Sequence, residues 1–129
     1  MIPLLLLLLA ATARAGYELH IVREKIGKDV PIPLAEWRTA VGQLKGLRLK
    51  SGDWVDRNPS TDQVLRVGCR PGDTEYYDVT QKKWLPAFYF FQGRASFQPS
   101  GEHDPLMVLS KQLAQCLGAR VRGDDGEYY

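Results

Sequence analysis

Trp84 to Phe97, WLPAFYFFQGRASF, is the most aromatic stretch of the chain and has the pattern of a β-hairpin. Side chains alternate along a strand, so Phe88 and Phe90 share one face and Tyr89 and Phe91 the other. Gln92-Gly93 reads as a tight turn, with Gly93 supplying the positive φ that such turns need. The return strand sets Arg94, Ser96 and Gln98 against Ala95 and Phe97, so one of its faces is polar. The stretch is therefore expected to be one hairpin. Its first strand, aromatic on both faces, is expected to be central. Pro86 lacks a donor N–H and should sit at a sheet margin.

An aromatic row of this kind needs apolar partners, and two helical stripes offer them. Leu34 to Lys45 carries Leu34, Trp37, Val41 and Leu44 at helical spacing, with Pro33 at the start, Glu36 in the first turn and Gly46 at the end. Asp104-Pro105 is an N-cap followed by a first-turn proline, and the helix it opens is expected to reach Leu117 before Gly118. Leu106, Leu109, Leu113, Cys116 and Leu117 form its apolar stripe.

The rest reads as strands and turns. Tyr17 to Arg23 alternates as a first strand, and Glu24 to Pro33 reads as a loop. Leu47 to Leu49 is a short strand. Trp54 to Arg57 and Gln63 to Val67 flank a turn-rich pentapeptide and form a hairpin. Glu75 to Val79 is another strand. Ala119 to Arg122 leads through Gly123-Asp124-Asp125-Gly126 to a short return at Glu127-Tyr128-Tyr129. Consecutive hairpins with two amphipathic helices predict an α+β fold, with a mainly antiparallel sheet and both helices packed on one face.

The 129 residues suit one domain with a single core. The 17 basic and 15 acidic residues are scattered, without the positive stripe of a nucleic-acid-binding surface. Leu4 to Leu9 and Ala13-Arg14-Ala15 resemble a signal peptide cleaved before Gly16. The expectation is a leader over residues 1–15, an α+β domain over 16–129, and export to the periplasm or medium. The alternative is a cytoplasmic protein with a spurious N-terminal extension. The apolar run is shorter than the roughly 20 residues of a membrane-spanning helix. Cys69 and Cys116 have no metal-site spacing and are expected to be separate buried thiols rather than a disulfide.

Tyr17-Glu18-Leu19-His20-Ile21, the helix start Ile32-Pro33-Leu34-Ala35-Glu36-Trp37 and the ending Gly123-Asp124-Asp125-Gly126-Glu127-Tyr128 together resemble a group of small uncharacterised bacterial proteins. Those look like strand-first α+β domains with a Glu-Trp helix. The resemblance spans Tyr17 to the C-terminus and implies the fold; it transfers no functional residue.

The sequence contains no Gly-x-Ser-x-Gly motif, phosphate-binding loop or dinucleotide fingerprint. No residue is assigned a catalytic, cofactor-binding or metal-ligating role. His20 lies on a strand without a nameable partner, and His103 precedes a helix cap. Asp124, Asp125 and Glu127 lack the spacing of a calcium loop and are explained by a turn. Aromatic residues remain as the candidate interface: Trp54, Tyr89, Phe91, Tyr128 and Tyr129. The expected function is a non-enzymatic protein-binding module, immunity- or inhibitor-like in its concrete form. The alternative is a small enzyme or ligand-binding protein with a pocket between helices and sheet, where His20 would meet Glu36 or Arg38.

Overall fold

The computed structural model describes residues 17–129, so the leader reading lies outside the described residues. The chain is an α+β domain with two helices and ten strands among these residues, every strand pairing antiparallel. The strands are β1 (Leu19–Lys25), β2 (Lys28–Val30), β3 (Leu47–Leu49), β4 (Trp54–Arg57), β5 (Val64–Val67), β6 (Thr74–Asp78), β7 (Lys83–Pro86), β8 (Tyr89–Phe91), β9 (Arg94–Phe97) and β10 (Arg120–Gly123). The helices are α1 (Leu34–Gln43) and α2 (Pro105–Leu117). Strands β10-β1-β9-β8 form the main sheet, with β2 extending β1 beyond it. A three-stranded sheet, β3-β6-β7, and the two-stranded hairpin β4-β5 complete the fold.

The aromatic stretch is divided between two sheets. Trp84 belongs to β7 and pairs with Tyr77 on β6, while only Tyr89 onward pairs with β9. The division falls at Thr74. Its N–H donates to the carbonyl of Phe88 at 2.9 Å, and its own carbonyl accepts from the Ala87 N–H at 3.0 Å. Its hydroxyl meets both the Phe88 N–H, at 2.8 Å, and the Phe88 carbonyl, at 3.1 Å. The segment after Pro86 is thus held by β6 until Phe88 and released to β9 at Tyr89. The strand expected to be central, β8, is an edge. The centre is β1, flanked by β10 and β9, because the C-terminal strand pairs back across Leu19–Val22.

The alternation within the hairpin holds. Phe88 and Phe90 are buried, whereas Tyr89 and Phe91 are exposed. Gln92 and Gly93 both have positive φ, 50° and 80°, as a two-residue hairpin turn requires. Ile26 and Gly27 repeat this geometry, with φ of 52° and 72°. They make Lys28–Val30 a strand where the sequence suggested a loop; its charged residues hid the alternation.

Both helices contribute to one core with β1, β9, β10 and Phe88. Trp37, Phe88, Phe97, Ile21, Val41 and Leu113 are all at most 1% exposed. The Trp37 ring stacks on Phe90 at 5.4 Å and meets Phe88 edge-on at 6.0 Å. Its indole N–H donates to the Gly72 carbonyl at 2.8 Å, so the largest core side chain has its polar atom satisfied. The α1 helix ends earlier than its stripe implies: Leu44 is already extended as the C-cap, and Gly46, with φ 82°, serves the turn into β3. The α2 helix follows its signals. Asp104 accepts from the Leu106 N–H, Pro105 occupies the first turn, and Gly118 is left-handed. Its buried face is Leu106, Met107, Ser110, Leu113, Ala114 and Leu117. Leu109 is only partly buried and Cys116 is exposed, because both lie off that stripe. Neither cysteine is bonded, and Cys69 is half-buried.

Gly93 shows how tightly the elements close. A Cβ there would lie 2.5 Å from Pro31, whose neighbour Ile32 donates its N–H to the Gly93 carbonyl at 2.8 Å. Gly93→Ala combines a left-handed backbone with a steric clash. It should destabilise clearly more than Gly27→Ala, which meets open space and should cost about 1–2 kcal/mol. Urea unfolding of the two variants compares the losses directly.

Candidate groove and C-terminal cluster

The five expected interface residues fall into two groups on different parts of the molecule. Trp54, Tyr89 and Phe91 belong to the first. Trp54 starts β4 and tilts against Tyr89 with ring centroids 6.0 Å apart. Phe91 lies two residues further along β8 on the same face and carries the Arg70 guanidinium above its ring at 5.4 Å. Tyr128 and Tyr129 form the second group at the β10 side of the main sheet.

Trp54 and Tyr89, but not Phe91, border a groove of about 630 Å³ between the β4-β5 hairpin and the β6-β7 strands. Cross-strand partners share a face, so Trp54 with Val67 and Asp56 with Leu65 make one side of the hairpin. All four line the groove. The opposite wall and floor are Lys50, Glu75, Trp84, Leu85 and Pro86, with Tyr89 at one end. Trp84 is a half-buried groove residue.

The floor alternates aromatic rings with charges. Arg48 lies 3.9 Å over the Trp84 ring and donates to Glu75 at 3.1 Å. The Lys50 ammonium stands 3.7 Å from the other Glu75 oxygen and 4.9 Å over Trp54. The Trp54 indole N–H donates to Asp73 at 3.1 Å, and the same carboxylate oxygen accepts the Arg70 N–H. The other oxygen of Asp73 is buried without a hydrogen-bond partner. Burial, with the Asp73 charge added, pushes the Tyr89 phenol above its ordinary range. Glu75 and Asp73 are 8% and 3% exposed, unusual for acidic side chains. Buried charges beside an aromatic-walled concavity mark a binding site more often than a plain surface.

The hairpin side contrasts with this fixed floor. Leu65 and Val67 face the groove yet are 64% and 53% exposed, and every residue of β5 is exposed. A two-stranded hairpin is marginal in water by itself. Trp54, through its ring contacts and its bond to Asp73, is the anchor of this arm. None of Lys50, Glu75, Leu65 or Val67 was marked as a candidate from sequence. The alternation Trp54-Asp56 opposite Leu65-Val67 was the available signal, but it is identical to that of an ordinary half-buried hairpin.

The C-terminal cluster is tied to the sheet by polar bonds while both tyrosines stay exposed. The Tyr128 hydroxyl donates to Glu24 at 2.8 Å, and its ring lies 3.6 Å under the Arg120 guanidinium. The Tyr129 hydroxyl meets that of Tyr17 at 3.1 Å. Arg122 donates to both oxygens of Asp29, at 2.9 and 2.8 Å, and to Glu24 at 2.7 Å. These bonds join β2 and the C-terminal return to the end of β1. The hydrogen bond from Arg122 holds the Asp29 carboxyl below its ordinary range, and the Arg122 guanidinium is raised in turn.

His20 does not meet Glu36 or Arg38. Glu36 pairs with Arg23 across α1 and β1, and the Arg23 guanidinium also donates to the Leu117 carbonyl at 2.7 Å. His20 points to the sheet face away from the helices, where it bonds Ser96 and Asp124. The space between helices and sheet at β1 is filled by core side chains. His103 lies in the exposed loop before α2. Asp124 turns its carboxylate to His20 and to the Glu18 N–H. No group of three or more metal-ligating side chains gathers among the described residues, and no described helix is long and apolar enough to cross a membrane.

No family model, curated protein or solved structure matches this chain.

Two expectations follow from these ties. Asp29, Glu36 and Asp124 all have folded pKa values below their unfolded ones. Their contribution to stability is present above the unfolded carboxylate range and is lost as pH falls through the lowered folded values. Acid unfolding followed by circular dichroism should therefore set in below about pH 4, and Asp29→Asn should flatten that pH dependence. Trp54→Ala should raise amide exchange over residues 54–67 towards unprotected rates while protection of β1 and α2 persists.

Proposed function

We propose that this protein is a binding module that engages an extended segment of another protein in the groove between the β4-β5 hairpin and the β6-β7 strands. The supporting observation is the hairpin itself. It holds Leu65 and Val67 to solvent on the side that faces a fixed floor of Trp84, Glu75 and Lys50. Apolar side chains of a partner would remove these residues from water at roughly 25 cal/mol per Å². The outer edge of β5 has no strand on it among the described residues. It carries neither proline nor lysine, the usual guards of an exposed edge. A partner strand would find main-chain groups as well as side-chain contacts there. Trp54 and Tyr89 would contribute rigid aromatic area at the groove end, with little ordering cost.

An immunity- or inhibitor-like role is the concrete form of this reading. Such a module acts by covering a surface of its target, and it needs no chemistry of its own. The cellular compartment belongs to the proposal too, export being the reading that the N-terminal leucine run favours.

The test compares immobilised wild-type protein with a Leu65→Glu, Val67→Glu variant in extracts of the native host. Both positions lie outside the core, so circular dichroism should show the variant folded. A specific partner should be retained by the wild type at physiological salt and lost from the variant. Retention of the same proteins by both, or of none by the wild type, would defeat the reading.

A further inference from the structure

His20 is held between a serine and a carboxylate. Its Nδ1 lies 2.7 Å from the Ser96 hydroxyl, and its Nε2 lies 2.7 Å from the Asp124 carboxylate. Elementary chemistry orders the protons along this chain. A carboxylate only accepts, so Nε2 must carry a hydrogen and donate it to Asp124. A neutral imidazole then has its lone pair on Nδ1, so the Ser96 hydroxyl must donate to it. Asp124 is fixed in its role by a second bond, from the Glu18 N–H at 3.1 Å, and the hydrogen bond from His20 holds its carboxyl below the ordinary range. The His20 side chain is 8% exposed and Ser96 half-buried, while Asp124 is exposed at the rim.

We propose that Ser96 is a nucleophile, activated by His20 as general base and oriented by Asp124, that cleaves small carboxylic esters on the face of the main sheet opposite the helices. Nucleophile, base and orienting carboxylate stand in the order that acyl-transfer sites use, with the two ring nitrogens exchanged. The neighbours supply the other parts. Arg94, two residues before Ser96 on the same face, makes no ion pair among the described residues. Its place two residues from Ser96 on the same strand face puts a cation next to the serine's position, on the side where an oxyanion would develop. Tyr89 stands directly opposite Ser96 on β8 and also closes the end of the groove.

The reaction balances with water as the only co-reactant. Ser96 Oγ bonds to the ester carbonyl carbon as its proton passes to His20 Nδ1. The oxyanion collapses, the ester C–O bond breaks, and the alcohol leaves with that proton. Water attacks the acyl-serine in the same way, giving the carboxylic acid and restoring the Ser96 hydroxyl.

The full chain is treated with an alkyl fluorophosphonate, which loses fluoride on forming a serine–phosphorus bond, and is read by intact mass and peptide mapping. One adduct on Ser96 is expected, together with hydrolysis of p-nitrophenyl acetate that Ser96→Ala abolishes. His20→Gln should slow labelling by about 10²- to 10⁴-fold. If that variant does not fold, Asp124→Asn at the exposed rim serves instead. It should slow labelling at least tenfold, with Asp124→Glu recovering part of the loss; a purely structural tie would not separate the two. Absence of an adduct on Ser96, or labelling equally fast in folded His20→Gln or Asp124→Asn, would overturn the proposal. The small probe need not enter the groove, and Ser96→Ala should still retain the groove's partner, so either reading can fail without the other.

Discussion

Thr74 joins the two larger sheets, and the arrangement of everything around it follows from that joint. Its backbone and hydroxyl together make four hydrogen bonds to Ala87 and Phe88 while the residue is fully buried. Removing the hydroxyl would leave the Phe88 N–H without a partner inside the protein, which costs more than a surface bond is worth. The joint sets the point where the chain leaves β6 and takes up β9. Phe88 and Phe90 are thereby aimed at Trp37, and Tyr89 is aimed outward, beside Trp54 on one flank and Ser96 on the other. The core, the groove and the serine–histidine pair share this one corner.

Around the corner, apolar and polar groups are sorted by sheet face. Ile21, Ala95 and Val121 lie in one row across β1, β9 and β10 beneath the helices. One residue along, Arg122, His20, Ser96 and Tyr89 lie in a row on the other side. That second face is held by directional bonds rather than by burial of hydrocarbon, and it carries the C-terminal ties as well as the histidine. Protonation therefore acts on it through Asp29 and Asp124, and on the helix side through the Glu36–Arg23 pair.

Much of this was legible in the chain. Helix α2 was readable from Asp104-Pro105 at one end and Gly118 at the other, because capping and backbone geometry are local. The Gln92-Gly93 turn and the alternation from Phe88 to Phe91 were readable for the same reason. What failed was pairing. Nothing local distinguishes a strand that continues from Trp84 through Phe90 from one that changes sheets after Phe88; the distinction rests on Thr74, about a dozen residues upstream. The edge position of β8 likewise depends on β10 returning from the far end of the chain to claim β1. At the groove, Trp54 and Tyr89 were recognisable as amphipathic rings, but Glu75 and Lys50 look like ordinary charged residues until the fold buries them. His20 seemed partnerless because Ser96 and Asp124 are remote in sequence.

The attachment of the β4-β5 hairpin has an evolutionary side. A segment anchored mainly through one tryptophan contributes little to the core, so changes at Val55, Val64, Leu65 or Arg66 carry small penalties in folding free energy. Most proteins accept new surface preferences only at some loss of stability, since the residues that recognise also support. On the proposed reading the two duties are largely separated along the chain. The arm can diversify quickly between lineages while the helices and main sheet stay as they are.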